Sequence, residues 1–252
     1  MSSATKSNTT ARPIVPFLYS LVCYAASLFS LIYFIVFASG VYAPISVNSQ
    51  SLEQPLLTAL VFNIALIALF GLQHSIMARK RFKQWLFNYL PESAERATFC
   101  LGTAIALVIM VYFWQPMNGQ VWQVTGSLTG YAVQAIGAAG WLILLIASFQ
   151  LDHFELFGLR QTFTPLLGRP MPSSQFRTPG LYKIVRHPIQ LGVLLGVWFV
   201  PESTANHLLL AIGMTLYIFI GLYFEEKALI QEFGNNYRDY KQRVAKLIPF
   251  IG

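Results

Sequence analysis

Two stretches in the last third of the chain hold side chains that could act together chemically. GLYKIVRHPIQLG (180–192) supplies a phenol, a guanidinium, an imidazole and an amide from Tyr182, Arg186, His187 and Gln190, with Pro188 between the last two. EEKALIQEFGNNYRDYKQRV (225–244) opens with the paired carboxylates Glu225 and Glu226. A guanidinium grips a carboxylate through a two-pronged set of hydrogen bonds, and carboxylates and aromatic faces hold cations. Elsewhere, Asp152 and His153 stand side by side as candidate proton acceptors, with Glu225 as the alternative base.

These residues need elements that bring them to one place. Apolar runs occupy about 14–38, 55–78, 97–114, 128–150, 188–200 and 207–224. All 17 Lys and Arg residues fall on one side of that alternation. They lie before the first run (Lys6, Arg12), after the second (Arg79, Lys80, Arg81, Lys83, Arg96), after the fourth (Arg160, Arg169, Arg177, Lys183, Arg186) and after the sixth (Lys227, Arg238, Lys241, Arg243, Lys246). The loops at 41–54, 115–126 and 201–206 contain none. The positive-inside bias then puts both termini and the basic loops in the cytoplasm. Residues 188–200 and 207–224 form a hairpin that returns Glu225 and Glu226 to the face carrying Arg186 and His187.

Hydrophobic residues make up 55% of the 252-residue chain and charged residues 11%, against roughly 25% charged in soluble domains. The expected fold is all-α: a polytopic integral membrane bundle of five to six transmembrane segments. The fifth run is about 20 Å long as a helix, short of a roughly 30 Å hydrocarbon core, so its insertion stays open. Residues 1–13 read as a disordered cytoplasmic N-terminus and 14–252 as one membrane domain. The first run is too long for a signal-peptide core and reads as an uncleaved helix. The net charge of +7 is spread over juxtamembrane segments, which fits anionic lipid and excludes a nucleic-acid partner. Cys23 and Cys100 sit in different apolar runs and read as packing residues. The loop 151–186, with Pro165, Pro170, Pro172 and Pro179, reads as irregular and functional.

The ordered elements Gly180, Tyr182, Arg186, His187, Pro188, then Glu225 and Glu226, then Phe233, Gly234, Tyr237 and Tyr240 resemble the C-terminal signature of the isoprenylcysteine carboxyl methyltransferase superfamily. The resemblance implies S-adenosylmethionine as methyl donor, held in the part 151–252 by Tyr182, Arg186, His187, Pro188, Gln190, Glu225 and Glu226. Those residue types suit a donor that carries a carboxylate, hydroxyls, an aromatic base and a sulfonium. Gln190 departs from the family, which usually has an aromatic residue there. SFQLDHFELFGLRQTF (148–163) and QHSIMARKRFK (73–83) resemble the bacterial methanethiol S-methyltransferases, and the NnrU group shares parts of the pattern.

That likeness implies a small thiol acceptor, methanethiol giving dimethyl sulfide, a site facing the cytoplasm at the inner membrane, and no metal. The attacking species must be the thiolate, so a proton acceptor is required: Asp152, His153 or Glu225. Two alternatives remain open. One is an isoprenoid or other lipophilic acceptor. The other is a non-enzymatic haem- or quinone-binding subunit, suggested by His74, His153 and His187 near one surface, although no H-E-x-x-H or paired E-x-x-H pattern accompanies them.

Overall fold

A computed structural model describes residues 14–40, 45–49, 55–171 and 175–249; the disorder expected for 1–13 lies outside the described residues. The chain folds as α1 (Ile14–Ser39), α2 (Leu56–Met77), α3 (Lys80–Leu86), a 3-10 turn (Glu92–Ala94) and α4 (Glu95–Phe113). Strand β1 (Gln120–Gln123), α5 (Leu128–Leu151), α6 (His153–Leu156) and α7 (Arg160–Leu166) follow, then a second 3-10 turn (Gly180–Lys183). The chain continues through α8 (Pro188–Trp198), β2 (Glu202–Thr204), α9 (Ala205–Phe233) and α10 (Asn235–Arg243).

The chain is an all-α membrane bundle. Five helices, α1, α2, α5, α9 and α4 with its leading 3-10 turn, are long and apolar enough to cross a membrane. The shortest of them, at 22 residues, reaches about 33 Å. Their outward faces carry bare apolar side chains such as Val22, Phe29, Leu57 and Tyr131, as lipid contact requires. Their inward faces meet in a core around Phe34, Phe37, Leu66, Met110, Leu210 and Met214.

The loops that lack basic residues gather at one end of this bundle. There β1 pairs antiparallel with β2, Val124 N donates to Pro201 O (2.8 Å), and Asn206 Nδ2 donates to Met117 O (3.1 Å) and Ser49 O (3.3 Å). The basic segments meet at the other end. Lys83 pairs with Glu95 (3.2 Å), Arg96 Nε donates to Leu156 O (2.7 Å), and the Arg79 guanidinium lies 5.8 Å from the Phe224 ring.

The short fifth run is resolved by close packing. α8 has only 11 residues, about 16 Å of helix. Gly140 on α5 faces Gly192 and Gly196 on α8, and a Cβ on Gly192 would stand 2.5 Å from the Gly140 carbonyl oxygen. Leu181 N donates to Gln150 Oε1 (2.9 Å) at the basic end, whereas Val200 O accepts from Trp122 Nε1 (3.0 Å) at the other. Residues 181–200 therefore run the length of the bundle, with a 3-10 turn and extended residues completing what the helix cannot reach. The loop expected at 151–186 contains two short helices, and the turn expected at 201–206 holds β2.

Candidate active site

Pro188 occupies the first turn of α8, where its missing N–H is harmless and its fixed φ favours helix start. This leaves Arg186 and His187 in an extended segment just before the helix. There Val185 pairs with Ala245, Arg186 N donates to Ala245 O (2.8 Å) and His187 N to Lys246 O (3.2 Å). The C-terminal tail after α10 is thus strapped beside the Arg-His segment.

Glu226 lies at the centre of the resulting clasp, with 5% of its side chain exposed. Its Oε1 accepts from Arg186 Nε (2.8 Å) and lies 3.2 Å from His187 Nε2. Its Oε2 meets Lys241 Nζ at 2.9 Å and Lys246 Nζ at 3.8 Å. Arg186 Nη1 donates to the carbonyls of Lys241 (3.0 Å) and Val244. Tyr240 donates to Tyr182 O (2.5 Å), and burial pushes its pKa up to about 12, so it remains a protonated donor. Burial also raises Tyr182, whose hydroxyl reaches Ala147 O at 3.5 Å. The Tyr237 hydroxyl is buried beside this cluster with no partner among the described residues.

Glu225 differs from its neighbour in a way that decides their roles. Its side chain is 46% exposed, its Oε2 accepts from Gln190 Nε2 (3.2 Å), and its Oε1 lies 4.0 Å from His187 Nδ1. One carboxylate is therefore consumed by structure while the adjacent one remains accessible. The structure brings together Tyr182, Arg186, His187, Pro188, Gln190, Glu225 and Glu226 at the basic end of the bundle.

Asp152 and His153 take their partners from other elements. Asp152 caps α6 through Glu155 N (3.0 Å), pairs with Arg160, and adopts φ +89°, the one positive φ among the described non-glycine residues. It borders a cleft of about 650 Å³ with Phe17, Phe154, Phe163 and Arg169. His153 is 4% exposed and stacks on Phe149 at 4.3 Å. Ser148 Oγ donates to Leu145 O, so it accepts from His153 Nδ1 (2.9 Å), which leaves Nε2 to accept from Tyr24 (3.1 Å). Both ring nitrogens are occupied.

Burial lowers the His153 pKa, so the folded protein keeps this ring neutral. The unfolded chain binds a proton near pH 6.5 that the folded chain resists, so stability should fall as pH drops through that value. Thermal unfolding in detergent should show this acid sensitivity diminished in His153→Gln.

Lys241, Lys246 and the strap at 244–246 were not among the residues expected at the site. Only the basic spacing of the C-terminal segment hinted at the lysines, and nothing in the pattern signalled the strap.

The model of the NnrU protein family matches residues 61–250. Methanethiol S-methyltransferase 2 of Bradyrhizobium diazoefficiens is 42% identical, across 92% of this chain and 89% of that protein. Methanethiol S-methyltransferase of Pseudomonas deceptionensis is also 42% identical, across 96% of this chain and 92% of that protein. Nurim of Bos taurus is 30% identical across 66% of each. No solved structure matches the chain.

Proposed function

Since the chain belongs to the NnrU protein family and, within it, to the methanethiol S-methyltransferases, we propose that its basic-end site carries S-adenosylmethionine-dependent methylation of methanethiol. The protein is a thiol S-methyltransferase, and its product is dimethyl sulfide. The observation that carries the reading is the pairing of a saturated carboxylate, Glu226, with an accessible one, Glu225, where the two halves of the motif meet.

The donor supplies an electrophilic methyl group on a sulfonium. The residues present suit it: Glu225 offers negative charge to a cation, Gln190 and His187 offer hydrogen bonds, and Tyr237 has a buried hydroxyl still to be satisfied. The Arg186–Glu226 clasp holds His187 and α10 in register, so its contribution is orientation. Alignment of nucleophile, methyl and leaving sulfur supplies much of the rate in such a displacement. The part 151–252 of the single domain 14–252 holds these groups. The site faces the cytoplasm at the inner membrane, because the basic end carries it. A reporter inserted near Asn118 and another fused after Gly252 should report opposite sides, with the latter cytoplasmic.

The test is headspace analysis of membranes containing the protein, supplied with S-adenosylmethionine and methanethiol. Dimethyl sulfide should form, and farnesylcysteine should be a poor acceptor. Donor binding without dimethyl sulfide would overturn the thiol while leaving a methyltransferase of another acceptor.

A further inference from the structure

One edge of the inward face of α9 is closely packed through the middle of the helix and then opens. Met214 and Ile218, 4% and 5% exposed, lie on that face at helical spacing. The same stripe continues through Gly221 and Glu225. A Cβ at Gly221 would meet nothing within 4 Å, and the Glu225 side chain is 46% exposed despite its inward position. On the edge of α9 that carries Tyr217 and Gly221 the packing therefore gives way to an open cleft toward the basic end, while Leu222, 1% exposed, continues the core with Ile218 and Leu247 on the other edge.

His74, on the last turn of α2, belongs to the neighbourhood of that opening. Tyr217, one turn before Gly221 on α9, has its ring 5.9 Å from His74 and within electrostatic reach of Glu225. Phe99 stands 4.6 Å and Phe70 5.9 Å from the same imidazole. Hydrogen bonding sets the tautomer. Thr103 Oγ1 donates to Phe99 O (3.1 Å), so it accepts from His74 Nδ1 (3.3 Å), and Nε2 keeps its lone pair with no partner among the described residues. The ring is only partly buried, so water or a ligand can reach it. Gln73 Oε1, beside it, is buried without a partner.

The other histidines differ. Both nitrogens of His153 are bonded, His187 is held between Glu226 and Glu225, and His207, bonded through Nδ1 to Ser203 with a buried Nε2 that also lacks a partner among the described residues, lies at the opposite end. The charged and titratable groups that reach His74 are Arg96 from α4 and Tyr217 from α9; Arg96 is in turn within electrostatic reach of Cys100 and Glu225, Cys100 of Glu95, which pairs with Lys83, and Tyr217 of Glu225. Arg96 acts on both His74 and Glu225; a cation there favours a thiolate over a thiol and opposes a lasting charge on the imidazole, so a proton taken by His74 must pass on quickly.

We propose that the cleft over Gly221, between His74, Tyr217 and Glu225, is the binding site for the small thiol acceptor and that His74 Nε2 takes its proton. This assignment rests on the thiol methylation proposed above. The S–H bond breaks as the N–H bond forms on His74. The sulfur lone pair then forms the new S–C bond to the donor methyl, and the old C–S bond breaks with its electron pair returning to the donor sulfur. His74 releases its proton to water at the basic end. Phe70, Phe99 and Tyr217 make the walls apolar, which suits a small alkanethiol.

The test compares wild type, His74→Asn and Gly221→Leu in detergent, measuring S-adenosylmethionine affinity by calorimetry and methanethiol methylation from pH 6.5 to 9.5. Asn can still donate to Thr103 but has no second nitrogen. His74→Asn should bind the donor as wild type does and lose about a hundredfold or more in rate near pH 7, with the gap narrowing as solution chemistry forms the thiolate. Gly221→Leu places no strain on a helix and should raise the KM for methanethiol at unchanged donor affinity. An unimpaired His74→Asn, a loss equal at every pH, or lost donor affinity would each overturn the base assignment. An unchanged KM in Gly221→Leu would overturn the cleft. A wild-type protein that binds the donor but methylates no small thiol would overturn both the cleft and the function on which it rests.

Discussion

Arg186→Ala should give a protein that melts well below wild type and binds S-adenosylmethionine poorly as a consequence. The guanidinium is 6% exposed and ties three segments together through Glu226, Lys241 O and Val244 O. Its removal leaves a buried carboxylate short of its strongest partner and two carbonyls without their donor. Breaking one side of a buried ion pair costs about 3–5 kcal/mol. Lys241 and Lys246 offset part of this, because both reach Glu226 Oε2. Arg186→Lys should recover little, since an ammonium cannot bond Glu226 through Nε while spanning two carbonyls with another nitrogen. Thermal unfolding followed by fluorescence in detergent measures the first effect and calorimetry the second. A variant with wild-type melting and abolished binding would mean that the guanidinium serves the ligand directly and not the clasp.

Which loops share an end of the bundle was legible in the sequence because charge asymmetry is a one-dimensional property. Arg79, Arg96, Arg160 and Arg186 alternate with the basic-free loops, and the hydrogen bonds joining Asn48, Met117 and Glu202 gather those loops at one end. The motif pairs were legible for the same reason, since a hairpin of two apolar runs must return Glu225 toward His187. What stayed hidden was how hydrogen bonds are shared out in space. Arg186 and Glu226 have the residue types of a ligand site, yet the strap at 244–246 and Lys241 occupy much of their bonding capacity. No periodicity signals a short parallel bridge between Val185 and Ala245. His153 and His74 are indistinguishable as letters. Ser148 and Tyr24 saturate one ring, whereas Thr103 takes a single nitrogen of the other. The shortness of α8 was visible, but its remedy depended on Gly140 and Gly192 allowing the α5 backbone to come close.

Glu225→Ala should behave in the opposite way to Arg186→Ala: wild-type melting, with donor affinity and methyl transfer both lost. The half-exposed carboxylate has a hydrogen bond from Gln190 and a distant contact with His187. An exposed contact of this kind contributes about 0–1 kcal/mol to stability. Facing a desolvated sulfonium it is worth far more, because truncating one partner of a buried charge pair costs about 2–5 kcal/mol of binding. At about 1.4 kcal/mol per tenfold, the lower bound alone is roughly a thirtyfold loss of affinity. Glu225→Gln separates charge from shape. It keeps an oxygen for the Gln190 amide but loses the charge, so it should bind S-adenosylhomocysteine, which lacks the sulfonium, nearly as wild type does while failing to favour S-adenosylmethionine. Calorimetric titration of both ligands into wild type, Glu225→Gln and Glu225→Ala reads this directly. Equal affinity of Glu225→Gln and wild type for the sulfonium ligand would remove Glu225 from the cation-facing wall and leave the open side of the cleft without its charge.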